Sequence, residues 1–141
     1  MAMQISPNSF ALKRYFFHTT ELRALPDHDP EGEVAGTKQA SEVSCQMDGK
    51  SIFVQLIVKS DIDESENPPY EYELGGVAVF ECTSKELTDE QIKTGATIYG
   101  TQVLLGAARE IVLMLSSRSV WGGFTIQLNN VSPPMPEGHV E

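Results

Sequence analysis

Apolar and polar residues alternate through four stretches of this chain, and then the alternation gives way to a helical pattern. From Ser9 to Ala24, Phe10, Leu12, Phe16, Leu22 and Ala24 share one side, and Ala11, Tyr15, Phe17 and Thr19 share the other. This period of two predicts a strand with apolar residues on both faces. Lys38 to Met47 repeats the pattern, with Val43, Cys45 and Met47 opposite Glu42, Ser44 and Gln46. Asp48-Gly49 then supplies a hairpin signal. Ser51 to Ile62 makes a third strand, with Ile52, Val54, Leu56 and Val58 on one side and Phe53 and Ile57 on the other. Tyr70 to Thr83 makes a fourth, in which the pair Gly75-Gly76 reads as a bulge or bend. The Pro- and acid-rich segments Leu25 to Glu33 and Asp61 to Pro69 are loops.

Helical spacing begins at Thr88, which stands three residues before Gln91 as in a capping box. Gly95 and Gly100 weaken helix propensity, and read either as a loose connector or as points where two backbones approach. From Tyr99 to Ser117 the pattern gives one helix of about five turns. Leu104, Leu105, Ala107, Ala108 and Ile111 to Leu115 leave it almost without a polar face. Such a helix is buried on more than one side. Arg109 and Glu110 in its middle argue against insertion in a membrane. One sheet covers one side, so a second subunit is expected on the other, with Tyr99, Val103, Leu105 and Val112 at the oligomer interface. Beyond the helix, Val120 to Phe124 is expected to be a flexible aromatic loop, residues 126–131 an extended run and 133–141 a flexible tail. The prediction is a single α+β domain over 1–141: a four-stranded antiparallel sheet followed by one long helix packed on one face.

Charge narrows the partners. Among 141 residues, 10 are Lys or Arg and 20 are Asp or Glu, a net charge of −10. That balance disfavours nucleic acid and anionic membrane surfaces. The two cysteines, Cys45 and Cys82, lie in apolar alternating segments and read as buried free thiols. The first ten residues lack the apolar run of a signal peptide, so a cytoplasmic location is expected. His28 between Asp27 and Asp29 lacks a second ligand cluster, and reads as part of a solvated loop rather than a metal site. His18, His28 and His139 fall in a strand, a loop and the tail, with no nucleophile elbow, P-loop or dinucleotide-binding glycine motif. No enzyme, cofactor or metal is expected.

The segment after Tyr99 carries a resemblance. Tyr99, the run Ala108 to Ile111, the segment Met114 to Arg118, and then Phe124, Gln127, Leu128, Asn129 and Val131 resemble the SecB family of protein-export chaperones. The resemblance covers about the last quarter of the chain; Ser119 to Gly123 makes a slightly longer insert there, and the upstream strands agree in order and spacing only.

The resemblance implies an ATP-independent cytoplasmic chaperone, a tetramer built as a dimer of dimers with its long helices at the contact. It would bind unfolded polypeptides such as preproteins and pass them to the motor ATPase of the translocon. The chain departs from the family after Ser132, where PPMPEGHVE has neither the basic cluster nor the cysteine of the motor-docking tail. A SecB-like chaperone of a toxin–antitoxin system, or of another dedicated client, fits as well. A different class of reading is a small-ligand-binding protein using the groove between sheet and helix. On the chaperone reading, the aromatic surplus marks the client groove: Tyr15 and Phe17 on one strand, Phe53 and Ile57 on another, and Trp121 and Phe124 in the loop. The alternative packs these residues under that loop or into the subunit interface.

Overall fold

A computed structural model describes residues 7–33 and 38–126. A short 3-10 turn, Pro7–Ser9, leads into β1 (Phe10–Ala24), β2 (Lys38–Asp48), β3 (Ser51–Asp61) and β4 (Tyr70–Cys82), followed by one helix, α1 (Asp89–Ser116). The strands form one antiparallel sheet in the order β1-β4-β3-β2. The expected α+β architecture is therefore present. Gln127, Leu128, Asn129, Val131, His139 and the expected tail 133–141 lie outside the described residues.

The strands follow their alternation. Ile52, Val54, Leu56 and Val58 of β3 are at most 1% exposed, as are Leu74 and Ala78 of β4, and they face α1. Between β2 and β3 the register sets Asp48 opposite Ser51, leaving Gly49-Lys50 as a two-residue turn. Gly49 has φ +62, the glycine-first geometry that suits a tight hairpin.

β1 corrects the parity read from the sequence. Its pairing with β4 shifts register between Leu12 and Arg14 and again between Phe17 and Thr19. Each extra residue, Lys13 and then His18, resets which side the following side chains face. Tyr15 pairs with Ala78 and Phe17 with Gly76, so both lie on the helix side together with Phe10 and Leu12. Phe16 pairs with Val77 and lies on the open side. The bulge expected at Gly75-Gly76 thus belongs to β1, because β4 pairs with β3 through both glycines without a shift. The glycines make room for two rings. A Cβ on Gly76 would stand 2.9 Å from the Phe17 ring, and one on Gly75 would stand 2.6 Å from the His18 ring.

α1 is one helix of 28 residues that runs through Gly95 and Gly100. Thr88 caps it as expected: its hydroxyl accepts from Gln91 N–H at 3.2 Å, and Gln91 Oε1 accepts from Thr88 N–H at 2.9 Å. At Gly100 the helix backbone comes close to the sheet, and an added Cβ would stand 2.7 Å from Val54 Cγ1. The small residues therefore bring helix and sheet together within one chain.

Candidate functional site

The helix divides its apolar residues between two jobs. Ala96, Leu104, Ala108 and Val112 are at most 1% exposed against the sheet, with Leu105 close behind at 6%. Leu105 and Val112, expected at an oligomer interface, are thus core residues of the single chain. Tyr99 is half-buried, with its ring 5.7 Å from that of Phe10, and Val103 is half-buried. Elsewhere on the helix Ile98, Leu113, Met114 and Leu115 are exposed, Met114 at 57%, and Leu115 continues the side of Ala108 and Val112 past the end of the buried stretch. The helix is long and apolar enough to cross a membrane, and one side of it packs on the sheet beneath.

The six residues expected to line one groove lie in three places. Tyr15 and Phe17 are on the helix side of edge strand β1. Phe17 reaches under α1 toward Gly76 beside Leu104, whereas Tyr15 remains 50% exposed beside the similarly exposed Leu12. Phe53 and Ile57 are half-buried on the opposite face of the sheet, alongside Val79, Val77 and the exposed Phe16, over whose ring the Arg14 guanidinium lies at 5.1 Å. Among the described residues no layer covers that face.

Trp121 and Phe124 form the third place. Phe124 lies 6.1 Å from the Tyr70 ring and 6.0 Å from the Tyr72 ring, and Ile126 beyond it is buried. The segment holding them is tied down. Tyr70 OH donates to Gly122 O at 2.7 Å and accepts from Trp121 N–H at 3.2 Å. Trp121 Nε1–H donates to Leu25 O at 3.0 Å, and the His28 ring packs 5.0 Å from the indole. Ser116 Oγ accepts from Phe124 N–H at 2.7 Å. His28 in turn bonds Asn67 O, and Asn67 Oδ1 accepts from Asp29 N–H, so three loops close over this end of the sheet. The loop expected to be flexible is therefore anchored by Tyr70, a residue about 50 positions upstream that nothing local in the sequence pairs with it.

Burial pushes the Tyr72 phenol up to about 12; the phenol donates to Gln39 Oε1 at 2.6 Å. Burial also raises the Cys45 thiol, against the weaker opposing effects of a hydrogen bond from Thr97 and the charge of Lys93. A protonated, half-buried thiol is a poor nucleophile. A cleft on the sheet lined by Thr20, Glu21, Arg23, Lys59, Glu71 and Glu73 is crossed by the ion pairs Arg23–Glu71 and Lys59–Glu73, which compensate each other's charge. His18 bonds Thr19 and Gln55 rather than an acid. Among the described residues, these polar groups assemble no nucleophile with a base and no group of three metal-binding side chains.

Sequence reasoning missed Leu12 and Phe16 because the β1 bulges hide their facing, and Tyr70 because its role is long-range. It singled out Leu113, Met114 and Leu115 as apolar, but all-round apolarity gave no sign that they face outward.

No protein-family model matches the chain, and no curated protein matches it. Among solved structures, it is similar to the Mycobacterium tuberculosis SecB-like chaperone Rv1957 in complex with a ChAD peptide from the Rv1956 HigA1 antitoxin. The two share 16% identity at a TM-score of 0.67, over 91% of this chain and 94% of that one. A protein of unknown function from Streptococcus agalactiae is similar at 12% identity and a TM-score of 0.42, over 84% of this chain and 97% of that one. One long helix packed on a four-stranded antiparallel sheet, in this order and extent, is the SecB-like fold.

Proposed function

We infer that this protein is an ATP-independent chaperone that binds unfolded polypeptide and has no enzymatic activity. The observation that carries the reading is the apolar surface the fold leaves open. Leu12, Tyr15 and Phe16 are exposed along an edge strand, and Ile98, Leu113, Met114 and Leu115 along the helix. Leu12 and Tyr15 lie on the helix side and Phe16 on the open face, and exposed apolar surface of this kind marks contact with a partner. An extended chain needs apolar contacts at alternate positions and a free sheet edge for its backbone, and β1 offers both. The SecB-like neighbour, which holds a peptide, supports the same reading.

Assembly shares that surface. The protein is a homo-oligomer, a tetramer on the resemblance, in which the outward side of α1 and the Tyr99–Val103 flank contribute to the contact. Tyr15, Phe17, Phe53, Ile57, Trp121 and Phe124 then contribute to client binding from separate walls that assembly brings into reach of one long polypeptide. The location is cytoplasmic, without membrane insertion or nucleic-acid binding.

A dedicated client of the toxin–antitoxin kind is favoured by the neighbour, whose bound peptide comes from an antitoxin. General export, with hand-over of preproteins to the translocon motor ATPase, rests on the resemblance alone. Purified protein without nucleotide is expected to suppress aggregation of a chemically unfolded test protein at near-stoichiometric ratio. Unchanged aggregation, together with a saturable thermal shift from a small molecule, would favour a small-ligand-binding protein instead.

A further inference from the structure

The β2–β3 hairpin turns on the pair Asp48-Gly49, and the same pair is chemically reactive. An aspartate side chain can close a five-membered ring on the nitrogen of the residue that follows it. A side chain on that following residue hinders the approach. The chain has six aspartates, and the residues after them are His28, Pro30, Gly49, Ile62, Glu64 and Glu90. All but Gly49 carry a side chain, and Pro30 also lacks an N–H to lose. The structure leaves the Gly49 nitrogen open as well. Asp48, Gly49 and Lys50 are exposed, and a Cβ added to Gly49 would meet nothing within 4 Å. Asp48 and Ser51 form the last pair of the ladder, so the Gly49 amide lies beyond it. Among the described residues, neither Gly49 N–H nor the Asp48 carboxylate has a hydrogen-bond partner, and Asp48 has no ion pair. Carboxylates in the loops are engaged instead: Asp29 Oδ1 accepts from Glu31 N–H, and Asp61 Oδ1 from Glu64 N–H. Gly49, at φ +62, has the backbone freedom that ring closure at this junction requires.

We propose that Asp48 is a site of spontaneous isomerisation to isoaspartate in the folded protein. The Gly49 nitrogen attacks Cγ of the protonated Asp48 carboxyl. A C–N bond forms, and the carboxyl hydroxyl leaves with the amide proton as water. A second water then reopens the succinimide ring. Breaking the bond from the nitrogen to Cγ restores aspartate. Breaking the bond from the nitrogen to the main-chain carbonyl carbon of Asp48 gives isoaspartate. One water leaves and one enters, so mass and oxidation state are unchanged. The product carries the main chain through Cβ and is one atom longer, in a turn whose two residues are matched to the twist of β2 and β3. It also displays a free α-carboxylate on an exposed turn, the group that isoaspartyl O-methyltransferases esterify.

The test incubates the full chain for weeks at neutral pH and physiological temperature, folded and, in parallel, unfolded in guanidinium chloride. After the denaturant is removed, isoaspartate is read as methyl groups taken up from S-adenosylmethionine in the presence of an isoaspartyl O-methyltransferase. Digestion and mass spectrometry then place the modified residue. In the folded chain, the peptide spanning Asp48 is expected to accept methyl groups, with unchanged mass and a shifted elution time. Isoaspartate arising from an asparagine would instead raise the mass, because an amide is lost. Asp48→Glu, which keeps the charge but would have to close a six-membered ring, is expected to lose the signal. Accumulation at Asp48 in the unfolded chain alone would show that the hairpin holds nitrogen and carboxyl apart, and would overturn the proposal. Absence of isoaspartate at Asp48 from both samples, or an unchanged signal in Asp48→Glu, would overturn it equally.

Discussion

Both sides of α1 carry apolar residues, and they meet opposite fates. Toward the sheet, Ala96, Gly100, Leu104, Ala108 and Val112 are buried, and Gly100 lies so close to Val54 that no side chain fits between them. Away from it, Ile98, Gly106, Leu113 and Met114 meet open space or solvent, with Arg109 and Glu110 among them. Hydrophobicity alone therefore does not mark the core of this protein. Small size marks only the tightest contacts, as at Gly100, since Leu104 and Leu105 are buried on the same side. The outward side keeps large, flexible Met and Leu side chains, which suit a contact that must fit more than one surface.

That contrast can be broken most severely by charge. Val112→Asp is expected to abolish the cooperative thermal transition, since an unpaired buried carboxylate costs several kcal/mol against a typical total of about 5–15. Met114→Asp should leave the circular dichroism spectrum unchanged while shifting the light-scattering mass toward the monomer. A Met114→Asp variant that melts like Val112→Asp would show the two sides to be equivalent.

Truncation probes the same difference more gently. Leu104→Ala is expected to cost about 2–5 kcal/mol in urea titration, and Leu113→Ala less than about 0.5 in the dissociated chain. Both are to be measured at one low protein concentration, because assembly adds to apparent stability.

Glycine gives the sharpest form of the comparison. Gly100→Ala should destabilise by about 1–3 kcal/mol, because its Cβ meets Val54. Gly106→Ala should stabilise the isolated chain by roughly 0.5–1 kcal/mol, because its Cβ meets nothing and helix propensity rises. If Gly106→Ala also weakens assembly, a neighbouring subunit comes close at that point.

The last contrast concerns the buried end of the sheet. The Tyr72 phenol is raised to about 12 by burial. Its protonated form is therefore favoured by folding, and the corresponding stability is intact below about pH 10. Above that, the unfolded chain ionises first, and stability falls by about 1.4 kcal/mol per pH unit until about pH 12. Urea midpoints at pH 9 and pH 11 should differ less in Tyr72→Phe than in the natural chain.

Much of this fold was legible in the sequence, for identifiable reasons. Period-two alternation in Lys38–Met47 and Ser51–Ile62 placed β2 and β3 within a residue of their ends, and Thr88 with Gln91 marked the helix start. The phase of β1 was not legible. A bulge adds one residue without a residue type that announces it, and Lys13 and His18 look like ordinary strand positions, so Tyr15 and Phe17 were put on the wrong side. The division of α1 was hidden because both of its sides are apolar. The anchored Trp121–Phe124 segment was read as flexible from Gly122-Gly123, whereas its restraint comes from Tyr70 and Leu25, far away in the chain. The six residues of the expected groove are thus exposed, half-buried or anchored in three separate places.

The central claim is that the exposed apolar surface receives unfolded polypeptide. It is tested most directly by calorimetric titration of the protein, without nucleotide, with a permanently unfolded variant of a small globular protein and, in parallel, with its folded parent. Saturable binding of the unfolded variant with a negative heat-capacity change, and no heat from the folded parent, is the predicted result. Equal heats from both, or none from the unfolded variant, would contradict it.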